Sequence, residues 1–281
     1  GTGFAGGKIV ARAAQPAAVK EELISVTATL LEALDGSMIT GCDLNTSLED
    51  MERLTELTPH VLAAVGSPVD ASAATAHGTL GAVEAVLGEG LDDARPGRAL
   101  VHGCGAVGGT VARVLVAHGW TVFTVDVDRE RASFAGATPL PLDCPWWELT
   151  LDLLLPCSIS GLINVEMASA LPVKAIVPAA NAPFQQPQLA DDLRRRGVRV
   201  LPDPLVNAGA VIADSIERFA PEAWKSATAV EVYRFVRDAV RQRATKFLAQ
   251  RGDGLTVDAA LERVTAGCGV DPIGLSFGEA A

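Results

Sequence analysis

The sequence predicts an α/β protein: a doubly wound parallel sheet, a smaller α/β part ahead of it, and helices at the end. Three observations carry this. From Arg98 onward, apolar runs short enough to be buried strands alternate with helical patterns. A glycine-rich turn separates the first of those strands from the first of those helices. Residues 88–97 (GEGLDDARPG) combine glycine, proline and charge, and read as a linker. The organisation expected is residues 1–88 as a substrate or catalytic part, 89–215 as the doubly wound domain, and 216–281 as C-terminal helices packing back.

Taken in order, residues 8–12 (KIVAR) read as a short strand, and a helix follows Pro16 to about Leu34. Asp35-Gly36 is a turn, and residues 37–40 read as a second short strand. Thr46 is placed as the cap of a helix carrying Met51, Leu54 and Leu57, with Glu49 completing a capping box. A helix is expected over residues 75–87, with Leu80, Val83, Ala85 and Val86 as its apolar contacts. Residues 98–101, 121–125, 151–155, 175–177 and 198–201 read as strands, and 107–118 as the first crossover helix. Beyond Ala213 the chain is helical, and Val232, Val236 and Val240 lie at core spacing.

The chain's 281 residues carry a net charge of −11, which excludes nucleic acid and anionic membrane surfaces as natural partners. No apolar run approaches the roughly 18 residues of a membrane span, and residues 1–10 lack a signal-peptide pattern. A soluble cytoplasmic protein acting on a small molecule is the expectation. Arg194, Arg195 and Arg196 read as a solvated helix end. Cys42, Cys104, Cys144, Cys157 and Cys268 form no CxxC pair, and the four histidines show no ligand spacing, so no metal is expected.

Gly103-Cys104-Gly105-Ala106-Val107-Gly108 fits GxGxxG between a strand and an apolar helix, and Asp126 closes the next strand. Each part has a physical reason. Gly103 permits the tight turn, Gly105 lets a pyrophosphate approach the backbone, and Gly108 lets helix and strand pack closely. The free N–H groups at the helix start suit phosphate. Asp126 can accept hydrogen bonds from the adenosine ribose and repels a 2′-phosphate. The reading is a Rossmann domain that binds NAD in preference to NADP, with nearby Arg129 softening the preference.

Gly6-Gly7-Lys8 places one of only five lysines after a flexible glycine pair. Lysine, unlike arginine, can be brought to a neutral, basic form by burial. Asp43, in Thr40-Gly41-Cys42-Asp43-Leu44-Asn45-Thr46-Ser47, is the carboxylate that could share its protons. On spacing alone, a surface lysine and a turn aspartate are equally good readings.

Seven segments in this order resemble the Glu/Leu/Phe/Val dehydrogenases, the leucine/phenylalanine branch above all. They are residues 6–8, 40–46, 75–79 (TAHGT), 103–108, 156–164 (PCSISGLIN), 179–181 (AAN) and 206–209 (VNAG). The resemblance implies two domains and oxidative deamination of an L-amino acid with an apolar or aromatic side chain to its 2-oxo acid, or the reverse. It implies Lys8 as the residue activating the water that attacks the imino acid, and Asp43 as the proton shuttle. It also implies Asn207 as the residue orienting substrate near the nicotinamide, and Gly41 as a pocket-shaping position. Thr75, Cys157, Ala180 and Asn181 join Gly103, Gly105, Ala106, Val107, Gly108, Asp126 and Asn207 as expected cofactor contacts. A homo-oligomer is expected.

The family also carries a segment before its Gly-Gly-Lys, with a second lysine that grips the substrate carboxylate. This sequence starts at Gly1, so a substrate side short of that contact is the expectation. Two alternatives accompany this reading: a relative in specialised metabolism acting on a 2-oxo acid or imine, and an NAD-binding homologue without turnover.

Overall fold

The structure is a computed structural model that describes residues 2–43, 45–250, 255–266 and 271–280. Of the positions singled out above, Gly1, Leu44 and Cys268 lie outside the described residues. The chain divides into two compact units. One comprises Gly1–Val69, Asp214–Ala227 and Val270–Ala281; the other comprises Asp70–Ala213 and Thr228–Gly269.

The larger unit holds a six-stranded parallel sheet: β1 (Arg98–His102), β2 (Thr121–Val125), β3 (Ala137–Pro139), β4 (Leu151–Pro156), β5 (Val173–Ile176) and β6 (Arg199–Val200). Their spatial order is β3-β2-β1-β4-β5-β6. The chain therefore works outward in one direction from β1 and then restarts on its other side at β4. That reversal opens a crevice between the carboxyl ends of β1 and β4, the usual ligand position in such sheets. Leu100, Leu154 and Ile176 sit in register on neighbouring strands and belong to the core.

Five helices position the site: α1 (Lys20–Ala33), α2 (Leu48–Thr55), α3 (Ala71–Leu87), α4 (Ala106–Ala117) and α5 (Arg129–Ala132). Helix α3 is buried along most of its length and packs on the long helix Ala229–Ala249. The approach is close because α3 offers small residues. A β-carbon at Gly81 would lie 2.1 Å from the carbonyl oxygen of Arg237. Glu84 adds a buried bidentate pair, accepting from Arg237 Nε at 3.1 Å and Nη2 at 2.9 Å.

Several expectations are corrected. Residues 88–97 connect elements inside the larger unit, with Leu91 and Ala94 buried and Leu91 N–H donating to Glu84. The division falls after Val69, not at residue 88, because α3 finds its partner helix in the larger unit. Residues 8–12 form no strand: Ile9 packs against the faces of α1 and α2, with no neighbouring strand to pair with among the described residues. Of residues 37–40, only Thr40 joins a ladder, as an isolated parallel bridge to Val61. Ser47 caps α2, in a capping box with Asp50, one residue later than expected. Arg194 lies over the Phe247 ring at 5.0 Å, and burial there lowers its pKa, so it is no solvated helix end. Strand β3 is an addition to the expected set; at three residues it carries no period to read.

Candidate active site

The smaller unit brings Lys8 and Asp43 together. Lys8 Nζ lies 2.5 Å from Asp43 Oδ2, and both side chains are more than half exposed, at 63% and 54%. The local chain explains the placement. Ile9 anchors on the small core of Ile24, Ala28, Leu31, Met51 and Leu54, next to an exposed Lys8. On the other side, Thr46 folds the backbone back at Asp43. Its hydroxyl accepts from Asp43 N–H at 2.7 Å and donates to the Asp43 carbonyl at 2.8 Å. Because Ser47 caps α2, the Asp43 carboxylate is not used as that cap and meets the lysine instead.

Gly41 has a different reason from the one expected. A β-carbon there would lie 2.4 Å from the Leu62 carbonyl oxygen, so the Thr40–Val61 bridge requires glycine. The space saved is filled by backbone, and no room for a substrate side chain follows from it.

In the larger unit, the loop after β1 has the geometry its glycines suggested. Gly103 adopts φ +95°, and a β-carbon there would strike Cys157 and Ser158 at 2.7–2.8 Å. A β-carbon at Gly108 would lie 2.0 Å from the Gly103 carbonyl oxygen. One at Gly105 would meet nothing within 4 Å. The first and last glycines are therefore demanded by packing, while the middle one faces open space. A cavity of about 510 Å³ opens there, lined in part by Cys104, Gly105 and Ala106. Asp126, at the end of β2, accepts from the N–H groups of Cys104 at 2.6 Å and Asp128 at 2.8 Å. A dinucleotide fits this arrangement: open glycine backbone at a helix start, with a fixed carboxylate beside it.

The neighbouring loops carry the other expected residues. Cys157 N–H donates to the His102 carbonyl at 2.7 Å, joining the ends of β1 and β4. Ala180 N–H donates to the Pro156 carbonyl at 2.9 Å. Asn207 Nδ2 donates to Asn181 Oδ1 at 2.7 Å and to the Ala179 carbonyl at 3.3 Å. Gly209 lies against α3, where a β-carbon would sit 2.2 Å from the Ala74 carbonyl and 2.6 Å from Thr75 Cα. Thr75, Asn181 and Asn207 thus share one neighbourhood, while Val107 sits half-buried in the first turn of α4. The cysteines here are not nucleophiles: burial pushes the Cys104 thiol up to about 11 and the Cys157 thiol to about 12.

The model for the Glutamate/Leucine/Phenylalanine/Valine dehydrogenases matches residues 127–263. A phenylalanine dehydrogenase from Bacillus thermotolerans is 27% identical over 276 residues, 93% of this chain and 70% of that protein. A leucine dehydrogenase from Thermoactinomyces intermedius is 28% identical over 221 residues, 75% of this chain and 60% of that protein. Over these spans the chain is similar to the glutamate/leucine/phenylalanine/valine dehydrogenases. A solved hetero-hexameric glutamate dehydrogenase from Thermus thermophilus shares the fold, with a TM-score of 0.69 at 20% identity, covering 93% of this chain and 68% of that one. Like that glutamate dehydrogenase, this chain has an α/β fold of Rossmann type.

Two acids with raised carboxyls escaped sequence reading. Asp214 and Glu217 lie one turn apart on the helix Gly209–Phe219. Burial, and then the charge of Glu217, push Asp214 up to about 7, and burial also raises Glu217, which accepts from Ala64 N–H at 3.1 Å. The signal in the sequence was a pair of acids spaced i, i+3 on a helix whose first five residues are apolar.

Proposed function

We propose that the chain catalyses NAD-dependent oxidative deamination of an L-amino acid with an apolar or aromatic side chain, and its reverse. The observation that carries the reading is the Lys8–Asp43 pair, a lysine and a carboxylate within proton-transfer distance. The named relatives, phenylalanine and leucine dehydrogenases, support the substrate class.

When bound, NAD supplies the acceptor for the hydride leaving the substrate α-carbon. Gly105 and the start of α4 hold its pyrophosphate, and the Asp126 carboxylate holds the ribose, favouring NAD over NADP. Cys157, Ala180, Thr75 and Asn181 line its path, and Asn207 orients substrate from its hydrogen bond to Asn181. Oxidation leaves an imino acid. Lys8 passes a proton to Asp43 across their contact and takes one from water as the water's oxygen bonds to the imino carbon. Asp43 then passes the proton it received from Lys8 to the nitrogen; the C–N bond breaks, ammonia leaves, and the hydroxyl proton returns to Asp43 as the carbonyl forms. A homo-oligomer is the assembly proposed.

The test is NADH formation across a panel of L-amino acids, by the purified protein and by Lys8→Ala. Turnover with leucine, phenylalanine or tryptophan that collapses in Lys8→Ala supports the reading. Turnover that survives the substitution removes the mechanism.

A further inference from the structure

The cavity beside Gly105 contains a group that the glycine motif does not explain. Arg113 lies two turns into α4, and helix side chains lean toward the N-terminus. Its guanidinium reaches back over Gly109: a β-carbon there would lie 3.3 Å from Arg113 Nη1. The Phe134 ring sits under the guanidinium, with 5.2 Å between Arg113 Cζ and the ring centroid. A glycine vacancy and an aromatic platform thus hold the charge in one place before any ligand arrives.

Charge in the cavity is unequally compensated. Arg131, also lining it, pairs with Asp128 at 3.1 Å. Asp70 also lines the cavity, and its Oδ1 accepts from Ala73 N–H as the cap of α3. Among the described residues, no carboxylate stands within ion-pair distance of Arg113. The cavity therefore combines exposed glycine backbone, the start of α4 and an arginine with no anionic partner among those residues.

We infer that Arg113 is a cofactor-binding residue that takes the negative charge of the dinucleotide's pyrophosphate. This rests on the dinucleotide reading above, and goes beyond it by naming a side chain where the motif names only backbone. It adds a charge-assisted contact to the helix-terminus N–H groups.

The experiment measures dissociation constants of NAD, NADP, ADP and adenosine by calorimetry. The proteins are the wild type, Arg113→Met, Arg113→Lys and Gly105→Val, with folding checked by circular dichroism. Arg113→Met is expected to weaken NAD, NADP and ADP alike, by about tenfold or more, and to leave adenosine unchanged. Arg113→Lys should recover part of the loss, and added salt should narrow the gap. Loss confined to NADP would assign Arg113 to the 2′-phosphate and overturn the inference. Unchanged NAD affinity in Arg113→Met, with binding lost in Gly105→Val, overturns it while leaving the dinucleotide reading standing. No NAD binding by the wild type overturns both.

Discussion

Lys8 and Asp43 come from separate segments of the smaller unit and meet at 2.5 Å, the lysine beside an anchored Ile9 and the aspartate on a turn closed by Thr46. As an exposed ion pair this contact contributes little to stability, on the order of 1 kcal/mol or less. Lys8→Ala and Asp43→Asn should therefore leave the unfolding midpoint almost unchanged. Turnover should fall by about 10²–10⁴-fold in each, with NAD affinity preserved. Thermal melts and steady-state kinetics on the same samples check both halves. A large melting shift with intact turnover would return the pair to an ordinary structural role.

The three glycines of the loop after β1 should separate cleanly. Gly105 has an ordinary backbone conformation and open space at its β-carbon, so Gly105→Val should fold normally and lose NAD. Gly108→Ala must displace the Gly103 carbonyl, so about 1–3 kcal/mol of stability should go. Urea denaturation beside NAD titration distinguishes the two outcomes.

Asp126 accepts two backbone N–H groups, so its carboxylate serves the loop as well as the proposed ribose contact. Asp126→Asn keeps an acceptor and removes the charge. Its NAD-to-NADP preference should move toward NADP, by about tenfold if one charge-assisted contact is exchanged. Equal preference before and after would mean that another group reads the ribose.

Stability should depend on Asp214. Its carboxyl is held well above the ordinary value, at about 7, so the folded protein keeps a proton there that the unfolded chain releases near pH 4. The resulting stabilisation is fully present below about pH 4, declines as pH rises toward 7, and is gone above it. Asp214→Asn should be more stable than the wild type at pH 8, because asparagine can stay buried there without losing a proton. The gain should be a few kcal/mol, since raising a carboxyl by one pH unit corresponds to about 1.4 kcal/mol. That advantage should vanish by pH 4, as urea melts at the two pH values would show. An advantage independent of pH would mean that Asp214 does not titrate as described.

The parts legible in the sequence were those whose cause is local. Strand β1, the glycine turn, α4, β2 and Asp126 follow one another along the chain, and each limits the next. Lys8 and Asp43 were named from their motifs, although spacing alone left surface roles as good a reading. What escaped depends on partners distant in sequence. The 8–12 segment has strand-forming residues, but its Ile9 found helices to pack on. Gly41 is small because Leu62 approaches it, which no pattern around residue 41 reveals. Residues 88–97 look like a linker until Leu91 and Ala94 are seen buried. Arg113 stands out in no sequence pattern because Phe134, which sits under its guanidinium, reaches it only in three dimensions.

Helix α3 packs on the helix Ala229–Ala249, which the ribosome delivers only after the whole parallel sheet has been made. At synthesis rates of about 5–20 residues per second, α3 waits many seconds with its apolar, glycine-notched face uncovered. A nascent chain stalled near Ala213 already holds every strand of the sheet, yet lacks both the cover for Gly81 and the arginine for Glu84. Translation beyond Ala213 thus completes the larger unit, and premature termination there should yield a species that chaperones retain or that aggregates.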